Sequence, residues 1–237
     1  MGYHFYKMHG CGNDYIYFDC FQREIPKPEQ LSIKLSDRHF GVGGDGAVLI
    51  CPSNTADAKM RMFNADGSEG KMCGNAIRCV GKYLYERRNI HKDPMTVETL
   101  SGIKTLHMET KAGKVQQVTV AMGAPGLAPQ DLPVLLPGDQ VVNRQVQVGE
   151  ETYAITCVSM GNPHCVVFVE DSPMQLPLEQ IGPKFEKHPM FPQGVNTEFV
   201  RVISPHELEM RVWERGSGET WACGTGACAT AVAAVLN

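Results

Sequence analysis

The sequence predicts an α+β fold made of two similar domains. Three observations carry this: the two halves echo each other at a nearly constant offset, strand-like runs outnumber helix-like ones, and Gly-containing turns join many of them. Met60-Arg61-Met62-Phe63 returns as Met210-Arg211-Val212-Trp213, 150 residues later, and at the same offset Glu69, Cys73 and Gly74 meet Glu219, Cys223 and Gly224. Gly12-Asn13 against Gly161-Asn162, and Gly41-Val42 against Gly194-Val195, keep the same order. The expected division is residues 1–123, carrying Cys73, and 124–237, carrying Cys223.

The elements follow in chain order. Residues 29–38 read as a helix, bounded ahead by Pro26 and Pro28 and behind by a glycine cluster. Residues 47–50 are a short apolar strand, and 75–88 a helix that starts just after Cys73-Gly74. Residues 96–99 and 117–120 are Thr- and Val-containing strands. The Gly- and Pro-rich run from 122 to 138 reads as a crossover or linker between the halves. In the second half, 165–169 and 209–212 read as strands, and 226–236, built of small residues, as the helix equivalent to 75–88.

Composition narrows the function. The chain has 237 residues, 43% hydrophobic and 20% charged, which is a globular composition. Its formal charge is -4 and it carries no basic run, so nucleic acid is not an expected partner. No stretch approaches the roughly 18 apolar residues of a membrane helix, and the first residues lack a signal region. No membrane partner and a cytoplasmic location are therefore expected. The 9 Cys are odd in number and include no C-x-x-C spacing, which argues against a disulfide framework and the usual zinc sets. No metal is expected. Gly41 to Gly46 fits G-x-G-x-x-G literally, but a helix precedes it and a strand follows, the reverse of a dinucleotide-binding turn.

Two cysteines stand out because they are equivalent. Cys73 and Cys223 each precede a glycine and a helix start. A helix N-terminus favours the thiolate and offers backbone N–H donors to an anion. Two such starts suit the inversion of a carbon stereocentre, in which one group removes a proton from one face and another returns a proton to the other. The carbanion would form beside a carboxylate held by those donors. Cys79 and Cys228, inside their helices, read as core residues.

Seven segments resemble the diaminopimelate epimerase family. They are Met8–Tyr15, Asp37–Gly46, Phe63–Ser68, Cys73–Cys79, Gly161–His164, Gly194–Phe199 and Trp213–Gly226, spread from near the start of the chain to near its end. The resemblance implies two pseudo-symmetric domains, each a mostly antiparallel sheet wrapped around a central helix, and a homodimer. It implies a cofactor-independent isomerase that interconverts LL- and meso-diaminopimelate in lysine and peptidoglycan precursor synthesis. Cys73 and Cys223 would be its acid/base thiols. Gly74, Asn75, Gly224 and Thr225 would present helix-start donors to the reacting carboxylate. Asn13, Asn64, Asn162, Asn196 and Arg215 would hold the rest of the amino-acid substrate, while His164 and Glu214 would lie near the thiols, bind the reacting amino group and tune protonation. Asn offers both donor and acceptor, and Arg clamps a carboxylate, so these residue types suit a doubly zwitterionic substrate.

Two departures bear on this. Some family members carry Gln at the position of Gly46, where the side chain touches substrate. The chain also stops at Asn237, inside or just after the second helix, where the resemblance implies further strands. The competing readings are a cofactor-free racemase of proline or histidine type, and an inactive relative that only binds.

Overall fold

In a computed structural model describing residues 2–237, the chain forms two compact units, one ending at Ala121 and the other starting at Met122. The first contains β1 (Tyr6–Gly10), β2 (Asn13–Asp19), α1 (Pro28–Ser36), β3 (Gly46–Cys51), β4 (Ala58–Asn64), β5 (Glu69–Gly70), α2 (Gly74–Arg87), β6 (Met95–Thr99), β7 (Gly102–Lys111) and β8 (Lys114–Val120). Its sheet runs β1-β2-β3-β4-β6-β7-β8, with β5 paired to β4. The pairs are antiparallel except β2 with β3 and β4 with β6.

Helix α2 packs against β1 and β2 near one edge of the sheet and against β7 and β8 at the other. A sheet that touches one helix with both edges is curled around it. Val48, Met60, Met62, Ile77, Val80, Leu84, Met95 and Leu106 fill that inner core. The outer face of β2 and β3 is also covered: Ile16, Phe18, Ala47 and Leu49 pack with Leu31 and Leu35 of α1. Both faces being buried explains why β2 and β3 read as continuous apolar runs rather than alternating ones. Helix α1 ends at Ser36, two residues before the predicted end, because Asp37 leaves the helix. Its carboxylate accepts the N–H groups of His39 (2.8 Å) and Phe40 (2.7 Å).

The second unit contains β9 (Arg144–Val148), β10 (Glu151–Ser159), β11 (Pro163–Phe168), α3 (Leu178–Glu186), β12 (Asn196–Ser204), β13 (Glu207–Glu214), β14 (Gly218–Thr220) and α4 (Gly224–Leu236). The sheet order is β14-β13-β12-β11-β10-β9, antiparallel except β11 with β12. Helix α4 lays Ala229 and Ala233 on Val158, Val166 and Val200. Helix α3 covers the opposite face, with Leu178 and Phe185 on Ile155, Val167 and Phe199.

The repeat is structural. The succession β1-β2-α1-β3-β4-β5-α2 recurs as β10-β11-α3-β12-β13-β14-α4, with the same parallel pair in the middle. Even an ion pair is duplicated: Arg61 Nε to Glu69 Oε1 at 2.7 Å and Arg211 Nε to Glu219 Oε1 at 2.8 Å, each joining a strand to the short strand after it. Tyr15 pairs with Gly46 across the first parallel pair as His164 pairs with Asn196 across the second.

Two features differ from the sequence reading. Helix α3 was not predicted: it follows Pro177 and holds Pro183 internally, two residues that break the usual helix pattern. The Pro-rich run after residue 122 is not an open linker. Leu132, Val134 and Val141 are buried in the second unit's core, and Gly126 pairs with Ser159.

Candidate active site

In the first unit the start of α2 gathers most of the predicted residues. Cys73 is the N-cap, with extended backbone (φ −133°, ψ 119°), and its Sγ accepts the Ala76 N–H at 3.5 Å. A thiol in the place usually taken by Ser, Thr, Asp or Asn closes the helix start and stands at the positive end of the dipole. Asn13 turns Oδ1 toward Cys73 Sγ at 3.3 Å. That contact is a hydrogen bond when the sulfur carries its proton. The orientation is fixed because Asn13 Nδ2 donates to Asp45 Oδ2 at 2.7 Å.

Arg38 bridges Asp45 (2.9 Å) and Asp14 (2.8 Å). Burial raises the Asp14 carboxyl, but Arg38 and Lys7 outweigh it and hold the group at about 2. Asn75 is buried, donates to Asn13 Oδ1 at 3.4 Å and accepts from Arg78 at 2.8 Å. Tyr15 is also buried, and burial first, then the neighbouring Cys73 charge, pushes its phenol far above the usual range. It therefore stands as a neutral hydroxyl. Gly46 lies between Tyr15 and Asn64 in register, so Asn13, Gly46 and Asn64 occupy one end of adjacent strands. Asn64 itself donates to Ser68 at 2.9 Å across its turn. A Cβ on Gly46 would fall 2.0 Å from the Phe63 carbonyl oxygen, so no side chain fits there on this backbone, the Gln that the resemblance raised included.

In the second unit Cys223 repeats the capping role. It is 7% exposed, and its Sγ accepts the Gly226 N–H at 3.3 Å and meets Thr225 Oγ1 at 3.4 Å. Gly224 and Thr225 form the first turn of α4, as Gly74 and Asn75 form that of α2. Asn162 donates to Thr225 Oγ1 at 3.3 Å, and its Oδ1 faces His164 Nε2 at 3.1 Å. Glu214 closes β13 and accepts from Thr220 Oγ1. Burial foremost, then the negative charges of Glu214 and Glu198, push the Cys223 thiol well above its ordinary range, against the Thr225 and Gly226 bonds, which pull it down.

Asn196 is more occupied than a plain ligand contact. It is buried, donates to the Pro163 carbonyl at 3.0 Å and accepts the Arg215 N–H at 2.9 Å, which braces the turn that presents Arg215. Arg215 is exposed, and its Nη1 donates to the Gln193 carbonyl at 2.9 Å. Cys79 is a buried core residue of its helix, as read, whereas Cys228 is only partly buried, packed against the core under α4.

The sequence reading missed Glu198. Its carboxylate is fully buried, and Oε1 lies 2.7 Å from His164 Nδ1. One ligand-type atom each from His164, Glu198 and Cys223 falls within a 4.8 Å group. These are donor types that a zinc ion takes. However, the 2.7 Å between nitrogen and oxygen is hydrogen-bond spacing, shorter than the about 3.3 Å between ligands of a tetrahedral zinc. The sequence neighbours of Glu198 gave little signal, because Asn196, Thr197 and Arg201 already make the strand partly polar and one more carboxylate does not stand out.

The buried Cys223 is expected to alkylate at least about tenfold more slowly than exposed Cys11 with iodoacetamide near neutral pH. Peptide mass spectrometry over time reads both rates; equal rates would contradict the buried environment.

The family model described as diaminopimelate epimerase matches residues 5–128 and 156–237. Among curated proteins, the chain is 55% identical over 233 residues to a diaminopimelate epimerase of Acetivibrio thermocellus, covering 98% of this chain and 83% of that protein. It is 57% identical over 239 residues to one of Desulfovibrio desulfuricans, with the same coverage of 98% and 83%. Among solved structures, a probable proline racemase from Agrobacterium radiobacter aligns with a TM-score of 0.67 at 14% identity, over 98% of this chain and 76% of that one. A hydroxyproline epimerase from Agrobacterium vitis gives 0.64 at 16%, over 98% and 75%. At these identities the structural likeness is one of fold.

Proposed function

We propose that this chain, which belongs to the diaminopimelate epimerase family, interconverts LL- and meso-2,6-diaminopimelate in lysine biosynthesis, without a cofactor, by passing the α-proton between Cys73 and Cys223. The observation that carries this reading is the twice-built helix start, with a thiol as N-cap of α2 and again of α4. A cofactor-free inversion needs two groups that exchange protons with carbon and a means of stabilising the carbanion. A thiol supplies the first. The N–H groups of a helix's first turn have no carbonyl acceptor within the helix, and they supply the second to the adjoining carboxylate.

The proton balance is simple. A thiolate takes the α-hydrogen and becomes a thiol; the carbanion takes a proton from the other thiol, which becomes a thiolate. The enzyme ends with the same total charge and the reverse roles, ready for the opposite isomer or for proton exchange with solvent. Arg215 and the Asn side chains would hold the distal ammonium and carboxylate, which a proline-type substrate lacks. The same reading places the chain in the cytoplasm as a homodimer.

The test is proton exchange. The reduced protein in deuterated water with LL-diaminopimelate should lose the α-hydrogen NMR signal while the meso isomer accumulates. Proline and histidine should show no exchange. Exchange on proline with none on diaminopimelate would replace this reading with the racemase one.

A further inference from the structure

A pair of thiols with no part in the proposed chemistry sits in the first unit, at the opposite end of β2 and β3 from Asn13 and Gly46. The two strands run parallel, with Tyr15 opposite Gly46 at one end and Asp19 opposite Ile50 at the other. One step further along, the Cys20 N–H donates to the Ile50 carbonyl at 2.8 Å, which continues the ladder. Cys20 therefore faces Cys51, the last residue of β3. Neighbouring strands stand about 4.8 Å apart, inside the roughly 4.4–6.8 Å that a disulfide allows between Cα atoms. Both side chains point to the same face of the sheet, where they pack with Phe18, Leu49 and Leu31. The two thiols are hydrogen-bonded to each other.

The two sulfurs are not equivalent. Cys20 is 3% exposed, whereas Cys51 is only half-buried. Cys51 pairs with Lys59 across β4, and Arg61 follows two residues on, on the same face. The bond from Cys20 foremost, then Arg61 and Lys59, hold the Cys51 thiol below its ordinary range, against burial and the charge of Glu24. The same bond, then burial, pushes Cys20 up. One sulfur thus favours the thiolate and reaches solvent, and its neighbour keeps a proton. These are the two parts of an oxidisable pair, a nucleophile and a thiol that resolves it. Facing alone does not produce them. Cys157 also lies directly opposite Cys165, but they are 1% and 0% exposed, and burial foremost, with Glu198 adding to it, pushes Cys165 well above its ordinary range.

We propose that Cys51 and Cys20 form an oxidation site for hydroperoxides, in which Cys51 reacts and Cys20 closes a reversible disulfide between β2 and β3. The Cys51 thiolate attacks one oxygen of hydrogen peroxide, the O–O bond breaks, and the departing hydroxide takes a proton to become water. Cys51 is left as a sulfenic acid. The Cys20 sulfur gives up its proton and attacks the Cys51 sulfur. The S–S bond forms as the S–O bond breaks, and the oxygen leaves with that proton as a second water. Two thiols lose two electrons in all, and one peroxide becomes two waters. The cross-link would join the strand ends away from Asn13 and Gly46, and it does not depend on the two-thiol reading of the function.

The test is peroxide treatment of the reduced wild-type protein near neutral pH, followed by alkylation of the remaining thiols, digestion without reductant and mass spectrometry. The Cys20–Cys51 cross-linked peptide should accumulate at least about tenfold faster than a Cys157–Cys165 one, and dithiothreitol should remove it. In Cys20→Ser, dimedone should capture Cys51 as the sulfenic acid. In Cys51→Ser, Cys20 should stay alkylatable. Cys20 and Cys51 remaining as thiols while exposed Cys11 oxidises would overturn the proposal. So would a Cys157–Cys165 cross-link forming as fast, or wild-type Cys51 passing to the sulfinic acid with no disulfide, since Cys20 would then not resolve it. The wild-type measurement needs no variant to fold.

Discussion

Replacing Cys223 with Ala, or Cys73 with Ala, is expected to lower kcat for epimerisation by at least about 10³-fold, close to 4 kcal/mol of transition-state stabilisation. The size follows from the chemistry proposed. A missing proton donor or acceptor on one face cannot be replaced by the other thiol, because inversion needs both faces. Water is a poor substitute in a setting such as that of Cys223, where the sulfur is 7% exposed. Both thiols also cap their helices, so each Ala variant loses an acceptor for one N–H as well as its chemistry. The Ser variants separate the two effects. A hydroxyl is a good N-cap, so Cys73→Ser and Cys223→Ser should keep the melting temperature near that of the parent while activity stays lost. Measuring kcat and thermal unfolding on all four variants checks this. An Ala variant with more than a tenth of the parent rate would rule out the two-thiol mechanism.

The second large effect is on stability. Gly46→Gln is expected to cost about 3 kcal/mol or more, at the upper end of overpacking penalties. The added Cβ would lie 2.0 Å from the Phe63 carbonyl oxygen and 2.9 Å from the Tyr15 ring. The first of these is backbone in the paired strand β4 and cannot swing aside as a flexible side chain would. Relief has to come from separating β3 and β4 at the end that holds Asn64 and Tyr15. Urea unfolding should show a midpoint well below the parent's, and soluble yield should fall. A midpoint within error of the parent would mean that this strand end has more room than described. A Gln side chain at this position thus cannot be grafted onto this backbone without parting the two strands.

Much of the fold was legible because the duplicated features are short-range. Arg and Glu eight residues apart meet across a strand turn, and a Cys-Gly before small residues marks a helix start; both recur after 150 residues, and the repeat exposes them. Helix α3 was hidden because it is held by tertiary packing of Leu178 and Phe185 rather than by a clean helical pattern, with Pro183 inside it. The run after residue 122 was misread because turn residues dominate it, while Leu132, Val134 and Val141, which bury it, are isolated in the sequence. The thiols and their immediate neighbours were legible for the same local reason. Glu198 was not, since its partner is 34 residues away and its burial depends on the parallel pairing of β11 and β12.

The repeated unit also carries a record of descent. One strand–helix module, doubled within a gene, gives a protein two copies of the same capped helix start. From then on each copy can accumulate changes without its twin. The ion pairs Arg61–Glu69 and Arg211–Glu219 were left alone in both, while Tyr15 and Val48 in one copy and His164 and Glu198 in the other went separate ways. A protein assembled from two identical chains could not do this, because every substitution would appear on both sides at once. Fusion is what let selection give the two sulfurs different neighbours.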